Sequence, residues 1–201
     1  MIRAFISIGS NINAAANVKE SIRLLSLAHE LRAISTVYET EPEKRSGQPP
    51  YYNCVVAVTT DLNPIELKMQ ALRRIEDELG RVRSTDKYAP RTIDLDLIYY
   101  DEESMKTPEL TLPDPEILER PYIAFALAEI APGLVLPGVE LTIESVVAGL
   151  VYDPTLICMG TAQPVAEKLE GIVKLTWSRP AAPGVRPPYS ALMVVAPPRT
   201  T

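Results

Sequence analysis

The chain has 201 residues, 46% of them hydrophobic and 23% charged, enough for one domain with a hydrophobic core and an appendage but not for two full domains. Its net charge of −6 offers no footing for a polyanion, so nucleic acid is not an expected partner. The apolar start Ile2 to Ile8 is broken by Gly9, Ser10 and Asn11 well short of a signal peptide or membrane span, and Cys54 and Cys158 sit in no C-x-x-C pair, so the expectation is a cytoplasmic protein with reduced thiols and no membrane partner.

Residues Ile2 to Ser7 alternate as a strand, and Gly9-Ser10-Asn11 turns the chain toward a helix carrying Val18, Ile22 and Leu25 on one face. His29, the sole histidine, excludes any mechanism that pairs two histidines. Leu31 to Thr40, rich in β-branched residues, predicts a second strand, and Tyr51 to Thr60 a third after a polar loop from Glu41 to Pro50. A second helix is marked by Asn63 as its cap, Pro64 at its first position and Glu66 closing a capping box; its predicted core stripe is Ile65, Met69, Leu72, Ile75 and Leu79, and Gly80 stands where a left-handed residue would end it. Thr92 to Tyr100 alternates as a fourth strand, with Ile93, Leu95, Leu97 and Tyr99 on one face. Strand, helix, strand, strand, helix, strand is the order of a ferredoxin-like α+β domain, an antiparallel sheet backed by helices. Extra C-terminal helices follow at Pro121 to Ile130 and Leu141 to Leu150. Residues 1–159 are predicted as the catalytic domain and 160–201, crowded with prolines, as a loosely ordered extension.

The chemistry concentrates in Gly80 to Tyr100. Period-two geometry sends Asp94 and Asp96 to the same face of their strand; taken alone such a run, with Thr92, is the solvated face of a half-buried strand, but two like charges so placed also repel unless a cation lies between them. Mg2+ suits such a pair because it takes one or two carboxylates and completes its shell with water and phosphate. Arg81, Arg83 and Arg91 have the fork geometry that matches phosphate oxygens and shift the reading toward a phosphate site, with salt bridges to the aspartates as the lesser alternative. The loop Ser84 to Pro90 has the polarity of a lid, or of an ordinary connection. Tyr51 and Asn53, sharing a strand face, offer an aromatic plate and a two-way amide suited to a flat heterocycle.

Joined together, these motifs resemble the 6-hydroxymethyl-7,8-dihydropterin pyrophosphokinase family of folate biosynthesis. The likeness runs from Ile6-Ser7-Ile8-Gly9-Ser10-Asn11 through Tyr38-Glu39-Thr40, Tyr51-Tyr52-Asn53, Gly80-Arg81-Val82-Arg83 and Pro90-Arg91-Thr92-Ile93-Asp94-Leu95-Asp96-Leu97 to Glu129-Ile130-Ala131-Pro132. The resemblance implies transfer of pyrophosphate from ATP to the pterin hydroxymethyl group, leaving AMP, by a monomer acting on small molecules. It implies Asp94 and Asp96 as ligands of two Mg2+ ions and Arg81 and Arg91 as catalytic charge stabilisers. Glu76, Arg83, Tyr88, Leu97, Thr111 and Arg120 would line the ATP site, and Thr40, Pro42, Tyr51, Asn53 and Tyr122 the pterin site, with the ring between the two tyrosines.

This chain departs from the family pattern at Asp114, where the family usually has a histidine, at Tyr88, where tryptophan is common, and at Glu41 and Glu43, which make the pterin-side loop acidic. An anion at 114 is expected to lower ATP affinity. A non-catalytic ligand-binding module on the same fold, and another metal-dependent phosphoryl or nucleotidyl transferase, are the competing functions.

Overall fold

The long apolar runs pair into one antiparallel sheet. In the computed structural model β1 (Ile2–Ser10) lies at its centre, flanked by β4 (Tyr51–Thr60) and β5 (Asp94–Tyr100); β2 (Glu30–Ile34) and β3 (Tyr38–Thr40) pair with the outer side of β4. Residues 1–42, 47–86 and 88–151 are described, together with the backbone of four short strands beyond them, Cys158–Met159, Pro164–Val165, Ile172–Trp177 and Leu192–Val195. The rest of the segment 160–201, and with it the domain boundary and the extension expected there, lies outside the described residues. No helix among the described residues is long and apolar enough to cross a membrane.

Alternation along the strands sends two apolar sets to opposite faces, and helices cover both. One face, with Ala4, Ile6, Ile8, Cys54, Val56, Val58, Leu95 and Leu97, packs on Val18 and Leu25 of α1 (Ala14–Ala28) and on Leu67, Leu72 and Ile75 of α2 (residues 64–78). The other face presents Phe5, Val55, Ala57, Ile98 and Tyr99 to Ile123, Ala124 and Leu127 of α4 (Pro121–Ile130) and to Ile143 and Val146 of α5 (Ile143–Val151); a short α3 (Glu116–Glu119) precedes them. Glu129, at the end of α4, accepts a hydrogen bond from Thr36 N (2.7 Å) and another from the Tyr38 hydroxyl, tying that helix to the link between β2 and β3. The far end of this second face carries polar residues, and the cleft described below opens there.

Three features differ from the sequence expectation. The strand predicted for Leu31 to Thr40 is two strands, β2 and β3, separated by Ser35–Val37, because Ser35 turns from the ladder to bond Val55: its N–H donates to Val55 O and its hydroxyl accepts from Val55 N, each at 2.9 Å. In β5 the alternation fails after Leu97, where a register shift pairs Leu97 with Ile6 but Tyr99 with Phe5. The extra residue, Ile98, moves Tyr99 away from the face of Leu95 and Leu97 into the α4 cluster, where its ring meets Phe5 edge-on at 5.7 Å. The second helix begins as expected, with the reciprocal Asn63–Glu66 capping box and Pro64 in the first turn, and ends at Gly80 with φ +72°. Its middle, Leu67–Leu72, is a π-turn between α-helical Pro64–Glu66 and Arg73–Glu78. The wider turn buries Leu67 in place of the expected Met69, since it lets side chains five apart, Leu67 and Leu72, share the core-facing side.

Candidate active site

The cleft end of the sheet is a row of polar residues built by register. Gly9 on β1 is cross-strand to Asn53 on β4 and to Asp94 on β5; one step along, Ser7 faces Val55 and Asp96. Asn53, Gly9, Ser7, Asp94 and Asp96 therefore share one floor. A Cβ added at Gly9 would stand 3.1 Å from Asn53 Oδ1, so glycine there lets the buried amide lie flat across the strand. Asn53 Nδ2 donates to Thr40 Oγ1 at 2.9 Å, which fixes the amide orientation.

Ser10 and Asn11 anchor the segment that enters β5. The Ser10 hydroxyl donates to Thr92 O (2.5 Å), Asn11 Oδ1 accepts from Arg91 N (2.7 Å), and the Asn11 and Ile12 amides donate to Arg91 O (3.1 Å each). Asn11 Nδ2 also reaches Gln48 Oε1 and Pro49 O, while Gln48 Nε2 donates to Tyr88 O at 3.0 Å. The two loops that frame the cleft are thereby joined through Asn11 and Gln48.

Above this floor lies a cavity of about 770 Å³. Thr40, Pro42, Tyr51, Asn53 and Tyr122 border it, as do Tyr88, Thr111, Asp114 and Arg120, and so do Arg91, Lys68, Asp94 and Asp96. A smaller cavity of about 320 Å³ shares those last four residues and adds Glu76, Arg81, Arg83 and the loop residues Ser84, Asp86 and Ala89. Of the residues expected at the site, Leu97 alone borders neither cavity. Alternation turns it away from Asp96, and its side chain is fully buried in the core. Glu43 lies outside the described residues; Glu41 borders the larger cavity.

Charge is distributed unevenly over the two aspartates. Asp94 is held by two guanidinium groups, Arg81 Nη2 on Oδ1 at 3.2 Å and Arg91 Nη1 on Oδ2. Asp96 has Lys68 Nζ at 3.8 Å from its Oδ1. Burial, and then the neighbouring charge of Asp94, push the Asp96 carboxyl up to about 7, against a smaller opposing pull from Lys68. Glu76, only 6% exposed, accepts from Leu95 N at 3.0 Å and from Arg83, which also reaches Asp77; burial raises its carboxyl above the usual range. Burial is likewise the main cause lifting the Tyr51 hydroxyl. Asp114 turns Oδ1 to the amide of Glu116 (2.9 Å), so one of its oxygens is engaged by backbone at the start of α3.

The arrangement can seat a flat ring against Tyr51 and Asn53, a polyanionic chain along the arginines, and a divalent cation at the aspartates between them. Sequence reasoning missed Lys68, Gln48 and Ser7. Lys68 was hidden because helical periodicity gave no reason to expect a π-turn, and Ser7 because its place opposite Asp96 depends on cross-strand register.

A family model for 7,8-dihydro-6-hydroxymethylpterin-pyrophosphokinase matches residues 5–132. The chain is 37% identical over 150 residues to the 2-amino-4-hydroxy-6-hydroxymethyldihydropteridine pyrophosphokinase of Haemophilus influenzae, covering 73% of this chain and 92% of that protein. The Bacillus subtilis protein of the same name is 36% identical over 63% of this chain and 77% of its own length. Against the folic acid synthesis protein FOL1 of Dictyostelium discoideum the identity is 34%, over 69% of this chain but only 21% of that longer protein. Among solved structures, wild-type HPPK-DHPS of Plasmodium falciparum superposes with a TM-score of 0.59 at 14% identity, over 75% of this chain and 45% of that one, a likeness of fold.

Proposed function

Because the chain belongs to the 7,8-dihydro-6-hydroxymethylpterin-pyrophosphokinase family, we propose that it transfers pyrophosphate from ATP to the hydroxymethyl group of 6-hydroxymethyl-7,8-dihydropterin, giving the pterin diphosphate and AMP in folate biosynthesis. The observation that carries this reading is the floor on which Asn53, Gly9 and Asp94 lie in cross-strand register, joining a heterocycle-sized recess to an acid pair faced by arginines. The strand order β2-β4-β1-β5 supports the ferredoxin-like assignment.

The pterin lies against Tyr51 and Tyr122, its edge read by Asn53, with Thr40 holding that amide and Pro42 closing the wall. The nucleotide lies toward Glu76, Arg83, Tyr88, Thr111 and Arg120. Asp94 and Asp96 fit Mg2+: among the described residues no group of three or more histidine, cysteine or acidic side chains could cage a metal, and a two-carboxylate donor set is what Mg2+ takes when phosphate oxygens and water complete its shell. Two such ions, when bound, would neutralise the phosphate chain and draw electron density from the β-phosphorus. Arg81 and Arg91, freed from Asp94, would grip the charge that builds on the transferred group, and the cleft walls hold the hydroxymethyl oxygen in line. The chain acts as a cytoplasmic monomer on small molecules.

Incubation with ATP, Mg2+ and the hydroxymethyl pterin should release AMP and a pterin diphosphate in equal amounts; ADP as product would overturn the proposal. Asp96→Ala should reduce turnover at least about a hundredfold, since even indirect partners of metal ligands are worth 10- to 100-fold. Its circular dichroism should match the native chain.

A further inference from the structure

Lys68 borders both cavities, at the wall they share with Arg91, Asp94 and Asp96. The π-turn puts it there. In a plain α-helix the residues three and four apart share a face, whereas here Leu67 and Leu72 bury the same side from five apart. The widened turn leaves Lys68, next in sequence to a fully buried leucine, with its ammonium 3.8 Å from Asp96 Oδ1 and its side chain 22% exposed.

The neighbouring cations are engaged elsewhere: Arg81 and Arg91 with Asp94, Arg83 with Glu76 and Asp77, Arg120 with Glu116. Among the described residues Asp96 makes one ion pair, with Lys68. A lysine is a compact charge on a flexible stem, able to leave a carboxylate by rotating its own bonds.

We propose that Lys68 is a tethered counter-cation that competes with a divalent metal ion for Asp96. It neutralises the carboxylate while the cleft is empty and is displaced when a divalent cation arrives, so the chain carries its own brake on binding metal without nucleotide. The inference rests on Asp94 and Asp96 being the metal ligands.

Calorimetric titration of Mn2+ alone into the metal-free full chain tests it. Lys68→Met, which keeps the stem and removes the charge, should bind Mn2+ about three- to fivefold more tightly than the native chain, the scale of one solvent-screened ion pair. Lys68→Gln, a second charge-free variant, should do the same, and Lys68→Arg should stay near the native affinity. Unchanged or weaker binding in both charge-free variants would overturn the proposal, because a lysine that only props the helix has no reason to oppose metal. Asp96→Asn separates the two readings. If it loses Mn2+ binding while Lys68→Met matches the native chain, the lysine role falls alone; if it binds as the native chain does, the ligand assignment falls and the lysine role with it.

Discussion

Asp96→Asn should make the metal-free protein more stable at neutral pH, although it removes a carboxylate proposed to hold metal. In the folded chain burial and the charge of Asp94 move the Asp96 carboxyl from an ordinary 3.8 to about 7. A folded state that holds its proton more tightly than the unfolded state is favoured at low pH, so this group's contribution is fully present below about 4 and is lost as pH rises to about 7. At pH 8 the gross penalty for a shift of that size is about 4 kcal/mol. Because 47% of the side chain is exposed, solvent screening reduces the expected value to about 1–2 kcal/mol. For a chain of this length that corresponds to a rise of about 3–6 °C in Tm. Urea and thermal unfolding of both proteins in EDTA, from pH 4 to pH 8.5, measure it directly. The two should converge near pH 4 and separate steadily up to pH 7. With Mg2+ and a non-hydrolysable ATP analogue the order should reverse, since ligand then stabilises only the native chain. A variant no more stable than the native protein at pH 8, or an advantage equal at pH 4 and pH 8, would refute the reasoning.

Gly9→Ala should raise the KM for the pterin and leave that for ATP nearly unchanged, because its Cβ, 3.1 Å from Asn53 Oδ1, must push the amide off the floor; steady-state kinetics with each substrate varied separates the two. Glu76→Ala should lower stability by about 2–4 kcal/mol in urea unfolding, since it strands the buried amide of Leu95 and leaves a small void, while Glu76→Gln, which keeps an acceptor for that amide, should lose less.

Much of the site was legible because it is written in local periodicity. An Asp-Leu-Asp run inside an alternating strand must place its acids together, and β5 does so, with Leu95 and Leu97 in the core opposite. The capping box at Asn63 and the left-handed Gly80 follow from chemistry within a few residues and were equally plain. What escaped depends on partners distant in sequence or on one residue of surplus. Tyr99 changed face because β1 and β5 slip past each other between Phe5 and Ile6, which no property of β5 alone announces. The α4 and α5 layer was foreseen as helices but not as cover for the sheet's second face, the packing that confines the cleft to one end. Of the two readings of the arginines, the structure shows the salt bridges: Arg81 and Arg91 both pair with Asp94.

The π-turn bears on how this helix tolerates changes in length. Removing one residue between Glu66 and Arg73 would favour ordinary α-helix there and part Leu67 and Leu72 from their shared core-facing side, while the capping box at the start and Glu76 in the far half keep their own bonds. Such a deletion would also shift Lys68 from the cleft wall that it borders. The π-turn thus couples the packing of two core leucines to the place of one cation at the cleft wall.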